Sequence, residues 1–187
     1  MGLHFELGGT LTISDLLSKN RSAILKRWFD LIVETYPSDA ATLMKKNRDA
    51  FTNPVGSTIL REIEILFSGL CEGCDPEKMS GSLDSILKIR SVQDFSPSKA
   101  VEFVFLLKRV IGEVLKGDIE KEGVMEEWQT FQSTIDGMAL QAFDIYVDCR
   151  EKIYEIRAKQ TRAEKEMAFK MMERMTHPKG KGEEEES

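Results

Sequence analysis

Apolar residues recur three and four positions apart along most of the chain, and no turn signal lies between alternating runs of strand type. This spacing places apolar side chains on one face of an α-helix. We therefore predict an all-α fold with about six or seven helices of ordinary length. The predicted helices are a short one capped by Thr12 or Ser14, then Asn20–Tyr36, Ser38–Asn47, and the segments that follow Pro54, Pro76 and Pro97.

Three of these predicted helices begin with the same two-residue signal. Asn53-Pro54, Asp75-Pro76 and Ser96-Pro97 each join a capping residue to a proline. The capping side chain accepts a hydrogen bond from an unpaired backbone N–H, and proline needs no N–H in the first turn. The pairs therefore predict where these three helices start.

The segment from Ser96 to Leu115 is predicted to be the central helix. Through Leu107 its apolar residues cover nearly the whole circumference, and a helix of this kind is buried on all sides. We expect other helices to pack on both sides of it and Gly117 to end it. Packing explains this pattern without a ligand. The residues concerned are Val101, Phe103, Val104, Phe105, Leu106 and Leu107.

The C-terminal part is predicted to be a long helix. Residues 125 to 175 contain no proline and one glycine, Gly137, where we expect a break into two segments. After Ile156 the aliphatic residues stop and methionines recur every four residues, so this part is expected to protrude. The predicted divisions are a domain at 1–156, a protruding helix at 157–178 and a disordered acidic tail at 179–187.

The formal charge of −6 argues against general nucleic-acid binding. It is unevenly distributed, because the segment from residue 150 to residue 182 is basic while four glutamates follow at 183–186. A basic helix of this kind could lie on an anionic membrane surface. No apolar run reaches transmembrane length and no signal peptide is recognised, so we expect a cytoplasmic protein.

The sequence offers little catalytic chemistry. Its two histidines, His4 and His177, lie near the chain ends, where neither is expected to act as a buried base or a haem ligand. No glycine-rich phosphate loop and no nucleophile elbow is found. We predict that the protein is not an enzyme and uses no cofactor.

Two sulfur-containing patterns allow a different interpretation. Cys71 and Cys74 form a C-x-x-C at a helix end, which could serve as a redox dithiol or as half of a metal site, with Cys149 as the third thiol. The surrounding pattern is not the one seen in thioredoxin-like proteins. Thioether ligation of copper(I) is the second alternative, by Met167, Met171, Met175 and His177.

Several strings resemble the N-terminal sensory domain of RsbR/RsbRD-type stressosome co-antagonist proteins. They are NPVG with LRE at 53–62, IRSVQDFSPS with FVFLLK at 89–108, and AFDIY with CREKIY at 142–154. With the Trp28 helix, the resemblance covers residues 12 to 160. It implies a globin-like helical bundle without haem, a homodimer and a sensory role. In larger members the last helix leads into a STAS domain, whereas this chain ends at Ser187, so we expect a stand-alone form.

Together these observations predict a regulatory sensor or adaptor that dimerises and docks a protein partner through its C-terminal helix. The alternatives are a thiol or metal sensor and a membrane-associated adaptor. The predicted partner and dimer surface consists of Phe143, Val147, Tyr154, Met167, Met171 and Met175.

Overall fold

The computed structural model describes residues 11–46, 49, 51–72, 76–93 and 95–176. Within these ranges the chain forms seven α-helices and no strand, so the predicted all-α fold is confirmed and is consistent with a globin-like bundle. The helices are α1 Ile13–Lys19, α2 Arg21–Glu34, α3 Ser38–Lys46, α4 Pro54–Glu72, α5 Pro76–Val92, α6 Pro97–Glu122 and α7 Met125–Thr176.

The predicted helix starts are confirmed. Thr12 caps α1 in a capping box, in which its hydroxyl accepts from the Asp15 N–H and the Asp15 carboxylate accepts from the Thr12 N–H at 2.9 Å. Each of the three predicted prolines is the first residue of its helix. Ser96 occupies the N-cap of α6, but its side chain makes no capping hydrogen bond, so that detail of the prediction is wrong. Asp75 lies outside the described residues.

Helix α6 differs from the prediction at two points. It passes through Gly117 and ends at Glu122, and Gly123 caps it with a φ of 71°, the left-handed conformation that glycine adopts easily after a helix. Burial of Ile119 beyond Gly117 outweighs the low helix propensity of one glycine, about 1 kcal/mol. The helix is also not buried on all sides, because Phe105 is 51% exposed.

Helix α7 is one continuous helix, so the predicted break at Gly137 is wrong. Gly137 is exposed, while Ile135, Met138 and Ala139 beside it are buried. Their packing fixes the backbone on both sides of the glycine, and the exposed position needs no side chain. The predicted long C-terminal helix is confirmed.

The chain divides into two compact units, Met1–Cys149 and Arg150–Ser187. The first unit contains the hydrophobic core, in which α2 packs on α6 and the Trp28 indole donates to the Phe103 carbonyl. In the second unit every described side chain from 154 to 176 is exposed. The predicted divisions at residues 156 and 178 stay predictions.

Candidate interaction surfaces and a buried arginine

An apolar groove lies between α6 and α7 in the first unit. It has a volume of about 710 Å³ and is lined mainly by apolar side chains. Leu140 is 71% exposed and Phe143 is 47% exposed, and Phe105 lies across from them on α6. We call this surface the α6–α7 groove. Its lining includes Ser98, Val101, Phe105, Ala139, Leu140 and Phe143.

The charged groups at this groove are paired within the chain. Lys99 contacts Glu102 at 2.9 Å on α6, and Lys108 contacts Asp136 at 2.9 Å between α6 and α7. Because these charged side chains are already paired, the exposed aromatic and aliphatic side chains are the part of the groove surface that a bound partner would stabilise by burying. An apolar centre beside paired charges is the usual anatomy of a protein–protein contact area.

A second apolar surface lies on α7 in the second unit. Met167, Met171 and Met175 follow one another at four-residue spacing and are all exposed. Because α-helices have 3.6 residues per turn, Tyr154 lies about 140° around the helix from Met167. We call the three methionines the methionine face.

The six predicted surface residues therefore do not form one stripe. Phe143 and Val147 are exposed one helical turn apart in the first unit, and the methionine face belongs to the second. Tyr154 is already engaged within its own helix, because its hydroxyl accepts a hydrogen bond from Arg150 at 2.8 Å. The Arg150 guanidinium also lies 5.0 Å from the Tyr154 ring centre.

The cysteine alternative receives little support from Cys71. Its thiol is half-buried, and burial raises its pKa to about 11, so the reactive thiolate is scarce at neutral pH. Cys74 and His177 lie outside the described residues, and Cys149 is buried. Within the described ranges, no three His, Cys, Asp or Glu side chains come together as metal ligands.

Sequence reasoning missed a buried arginine. Arg90 on α5 is 0% exposed, and its guanidinium carbon lies 5.4, 4.9 and 5.5 Å from the ring centres of Tyr36, Phe95 and Phe103. Nη1 donates to the Lys99 carbonyl at 2.8 Å. Nη2 donates to the Thr35 hydroxyl at 3.0 Å.

The electrostatics of this arginine are unusual for a charged group. Burial lowers the pKa of Arg90 from its ordinary value, although arginine remains protonated in proteins. Burial raises the pKa of the neighbouring Tyr36. The sequence contained one indication that Arg90 is buried. It follows the apolar residues Ile86 and Leu87 at helical spacing on the core face of α5.

Among the described residues, no helix combines the length and apolar character required to cross a membrane. The part of α7 that would lie on a membrane surface is exposed and rich in both charges.

The chain is similar to known proteins over most of its length. Residues 22–161 match the family model described as the RsbT co-antagonist protein RsbRD N-terminal domain. An uncharacterised protein from Archaeoglobus fulgidus is 23% identical over 155 residues, which cover 82% of this chain and 93% of that protein. No solved structure matches the chain. Because the family model covers well over half of the residues, the chain belongs to the family of RsbRD N-terminal domains of RsbT co-antagonist proteins.

Proposed function

We propose that this protein is a non-enzymatic regulatory module that self-associates through the α6–α7 groove and docks a protein partner through the methionine face. Family membership supports the regulatory part, because this is a regulatory family of sensor type that is not known for catalysis. The observation that carries the proposal is the exposure of large apolar side chains at the groove. Such a surface is suited to binding another protein and not to catalysing a reaction.

The groove favours a second copy of this chain as its occupant. It combines a concave lining with projecting side chains, Leu140 and Phe143, and a two-fold contact requires both on the same patch. Fully burying one large apolar side chain contributes about 1.5–3 kcal/mol. Burial of three such side chains in each subunit would therefore strongly favour dimerisation. They are Leu140, Phe143 and Phe105.

The charged pairs are compatible with the same arrangement. Lys99 with Glu102, and Lys108 with Asp136, place both signs at the groove. Because both signs lie on the same patch, a two-fold axis between them can place each sign opposite its complement on the second copy.

The methionine face favours a different occupant. Methionine side chains are unbranched and polarizable, and they adapt to irregular apolar surfaces. A helix that exposes them at four-residue spacing fits the groove of another protein, in the helix-in-groove mode. The partner is therefore expected to present an apolar groove to this helix.

Native mass spectrometry of the full chain tests the self-association. We expect a dimer for the wild type and a monomer for Leu140→Glu combined with Phe143→Glu. Val92→Glu is the matched control, since Val92 is an exposed apolar residue that does not line the groove. A dimer that survives the double substitution would exclude the groove as the interface.

Affinity capture from the host lysate tests the second contact. The substitutions Met167→Glu and Met171→Glu are expected to abolish capture of a partner without changing the oligomeric state. Ala158→Glu introduces the same charge at another exposed position of α7 and is expected to leave capture unchanged. Equal capture by all variants would refute docking through the methionine face.

Thiol or metal sensing, membrane association and a cytoplasmic location stay predictions from the sequence.

A further inference from the structure

Four exposed methionines lie close together on α7 in the second unit. They are Met167, Met171, Met172 and Met175, with exposed fractions of 63–80%. The chain has no leucine, isoleucine or valine between residues 157 and 176, so thioethers provide most of the large apolar side chains of this segment. Leucine would give a similar apolar surface at the same helix propensity. The repeated sulfur atoms therefore point to a chemistry that leucine lacks.

The helix brings three of these thioethers within one turn. Met175 follows Met172 by three residues and Met171 by four, and residues at both spacings are neighbours on a helix surface, with Cβ atoms about 5–6 Å apart. Long side chains on a helix point back towards its N-terminus, so Met175 is directed over the turn that carries the other two. Methionine has three rotatable bonds, which allow the three sulfur atoms to converge without a change in the helix. We call Met171, Met172 and Met175 the thioether cluster.

This set differs from the copper ligands predicted from the sequence. Met167 lies eight residues before Met175, which is about 12 Å along the helix axis, so it belongs to a different turn. Met172 takes its place because it is only three residues from Met175. His177 lies outside the described residues and is not included in the cluster.

The chemistry of the cluster favours one kind of metal ion. Thioethers are soft, neutral ligands that suit Cu(I), whereas Zn²⁺ is held mainly by thiolate, imidazole and carboxylate, and Ca²⁺ and Mg²⁺ by oxygen. Within the described ranges no three His, Cys, Asp or Glu side chains come together as ligands for these other ions. Residues 164–176 contain three acidic and three basic side chains, so the segment carries no net charge that would repel a cation.

We propose that the thioether cluster binds one Cu(I) ion through the sulfur atoms of Met171, Met172 and Met175. Cu(I) has a filled d shell and imposes no strict geometry, so three neutral sulfur ligands from one helical turn satisfy it. The side chains are exposed, so the ion reaches them from solvent without any opening of the fold. Binding changes no oxidation state and releases no proton, because a thioether carries none. This inference does not require that the methionine face docks a protein.

A silver titration followed by methyl NMR tests the cluster directly. Ag(I) is a redox-stable ion with the charge and softness of Cu(I), and the full chain is labelled with ¹³C at its methionine methyl groups in chloride-free buffer. We expect the methyl signals of the three cluster residues to shift together along one binding curve. The signals of the buried Met44 and Met138 are expected to stay in place. Cluster signals that do not shift, or that follow three separate curves, would overturn the proposal.

Native mass spectrometry with Cu(I) under anaerobic conditions counts the bound ions. The variant with Met171→Leu, Met172→Leu and Met175→Leu keeps the apolar surface but lacks the sulfur atoms, so it is expected to bind one Cu(I) fewer per chain than the wild type. Thiols also bind Cu(I), but the variant retains all three cysteines, so they do not affect the difference. Met125→Leu is the matched control, since Met125 is an exposed methionine of α7 with no methionine three or four residues away. It should bind as many ions as the wild type.

Two further conditions distinguish thioether ligation from thiol ligation. Thioethers do not titrate, so the difference of one ion is expected to be the same at about pH 5.5 and at about pH 7.5, whereas protons compete for thiolate ligands. Zn²⁺ in excess is expected not to displace this ion. Equal ion counts for the wild type and the triple leucine variant, or a difference that disappears in Zn²⁺ or at the lower pH, would refute the site.

Discussion

The indole Nε1 of Trp28 donates a hydrogen bond of 2.7 Å to the carbonyl oxygen of Phe103, and both side chains are fully buried. This bond joins α2 to α6 inside the core, between residues 75 positions apart in the chain. The Phe103 ring also lies beside the Arg90 guanidinium, with the ring centre 5.5 Å from the guanidinium carbon. The Trp28–Phe103 pair therefore links the packing of α2 on α6 to Arg90, which is the one buried cation among the described residues.

Replacing this indole is expected to be costly. Trp28→Phe leaves a small cavity and removes a buried donor, and we expect the free energy of unfolding to fall by about 2–4 kcal/mol. Urea denaturation measures the change. Trp128→Phe is the control, since Trp128 is also buried but its indole N–H donates to no described residue. If both substitutions lower the free energy of unfolding by the same amount, the hydrogen bond to Phe103 makes no net contribution to stability.

Two glycines are expected to respond in opposite directions to alanine. At Gly56 an added Cβ would collide with the Asn53 side-chain amide, whose oxygen Oδ1 caps α4 by accepting from the Gly56 N–H at 2.9 Å. We expect Gly56→Ala to displace this cap and to lower the free energy of unfolding by about 1–2 kcal/mol.

The matched variant for that experiment is Gly117→Ala. Gly117 is exposed within α6, and a Cβ there meets nothing within 4 Å. Alanine is the better helix former, so we expect a gain of about 0.5–1 kcal/mol. In the same urea experiment, a loss at Gly117 would contradict its place inside α6, and no loss at Gly56 would contradict the Asn53 cap of α4.

The Cys71 thiol is expected to react slowly at neutral pH. Burial raises its pKa from 9.0 to about 11, so its thiolate fraction at pH 7 is about 100-fold below that of an exposed cysteine. The folded-state pKa lies above the unfolded one, so the stability contribution of this thiol is complete below about pH 9 and disappears as the pH rises towards about 11. Iodoacetamide labelling with peptide mapping measures the rate. Labelling at pH 7 as fast as in the unfolded chain would contradict the prediction and favour a thiol sensor.

The Asp15 carboxyl is expected to titrate below its usual range. The Thr12 backbone N–H and then the Thr12 hydroxyl lower its pKa from 3.8. Thr12→Ala removes only the hydroxyl, so the pKa should rise part of the way, whereas Thr12→Ser should keep it low. A carboxyl titration by NMR distinguishes these results, and an identical Asp15 pKa in both variants would exclude the hydrogen bond that the Thr12 hydroxyl donates to the Asp15 carboxylate.

The sequence predicted the helices well where local chemistry determines them. Proline at Pro54, Pro76 and Pro97 cannot donate a backbone hydrogen bond and so fits only the first turn of a helix. The predictions failed where packing overrides local preference. Gly117 and Gly137 both lie inside helices because buried neighbours on each side hold the backbone.

The candidate surfaces could be predicted only in part. Phe105 was assigned to the core from its spacing and is exposed, because a helical pattern gives a face and does not identify what covers it. Arg90 was not recognised as buried, although its spacing from Ile86 and Leu87 fits the core face, since a long cation at the edge of an apolar face usually extends its charge into water. Its enclosure depends on Tyr36 and Phe103, which are distant in sequence.

Sedimentation equilibrium of the full chain, at concentrations up to about 100 µM, tests the central claim most directly, since a stable interface dissociates well below that range. The α6–α7 groove as a self-association surface predicts twice the mass of one chain for the wild type and the mass of one chain for Leu140→Glu with Phe143→Glu. A wild-type protein that stays at the mass of one chain throughout would contradict it.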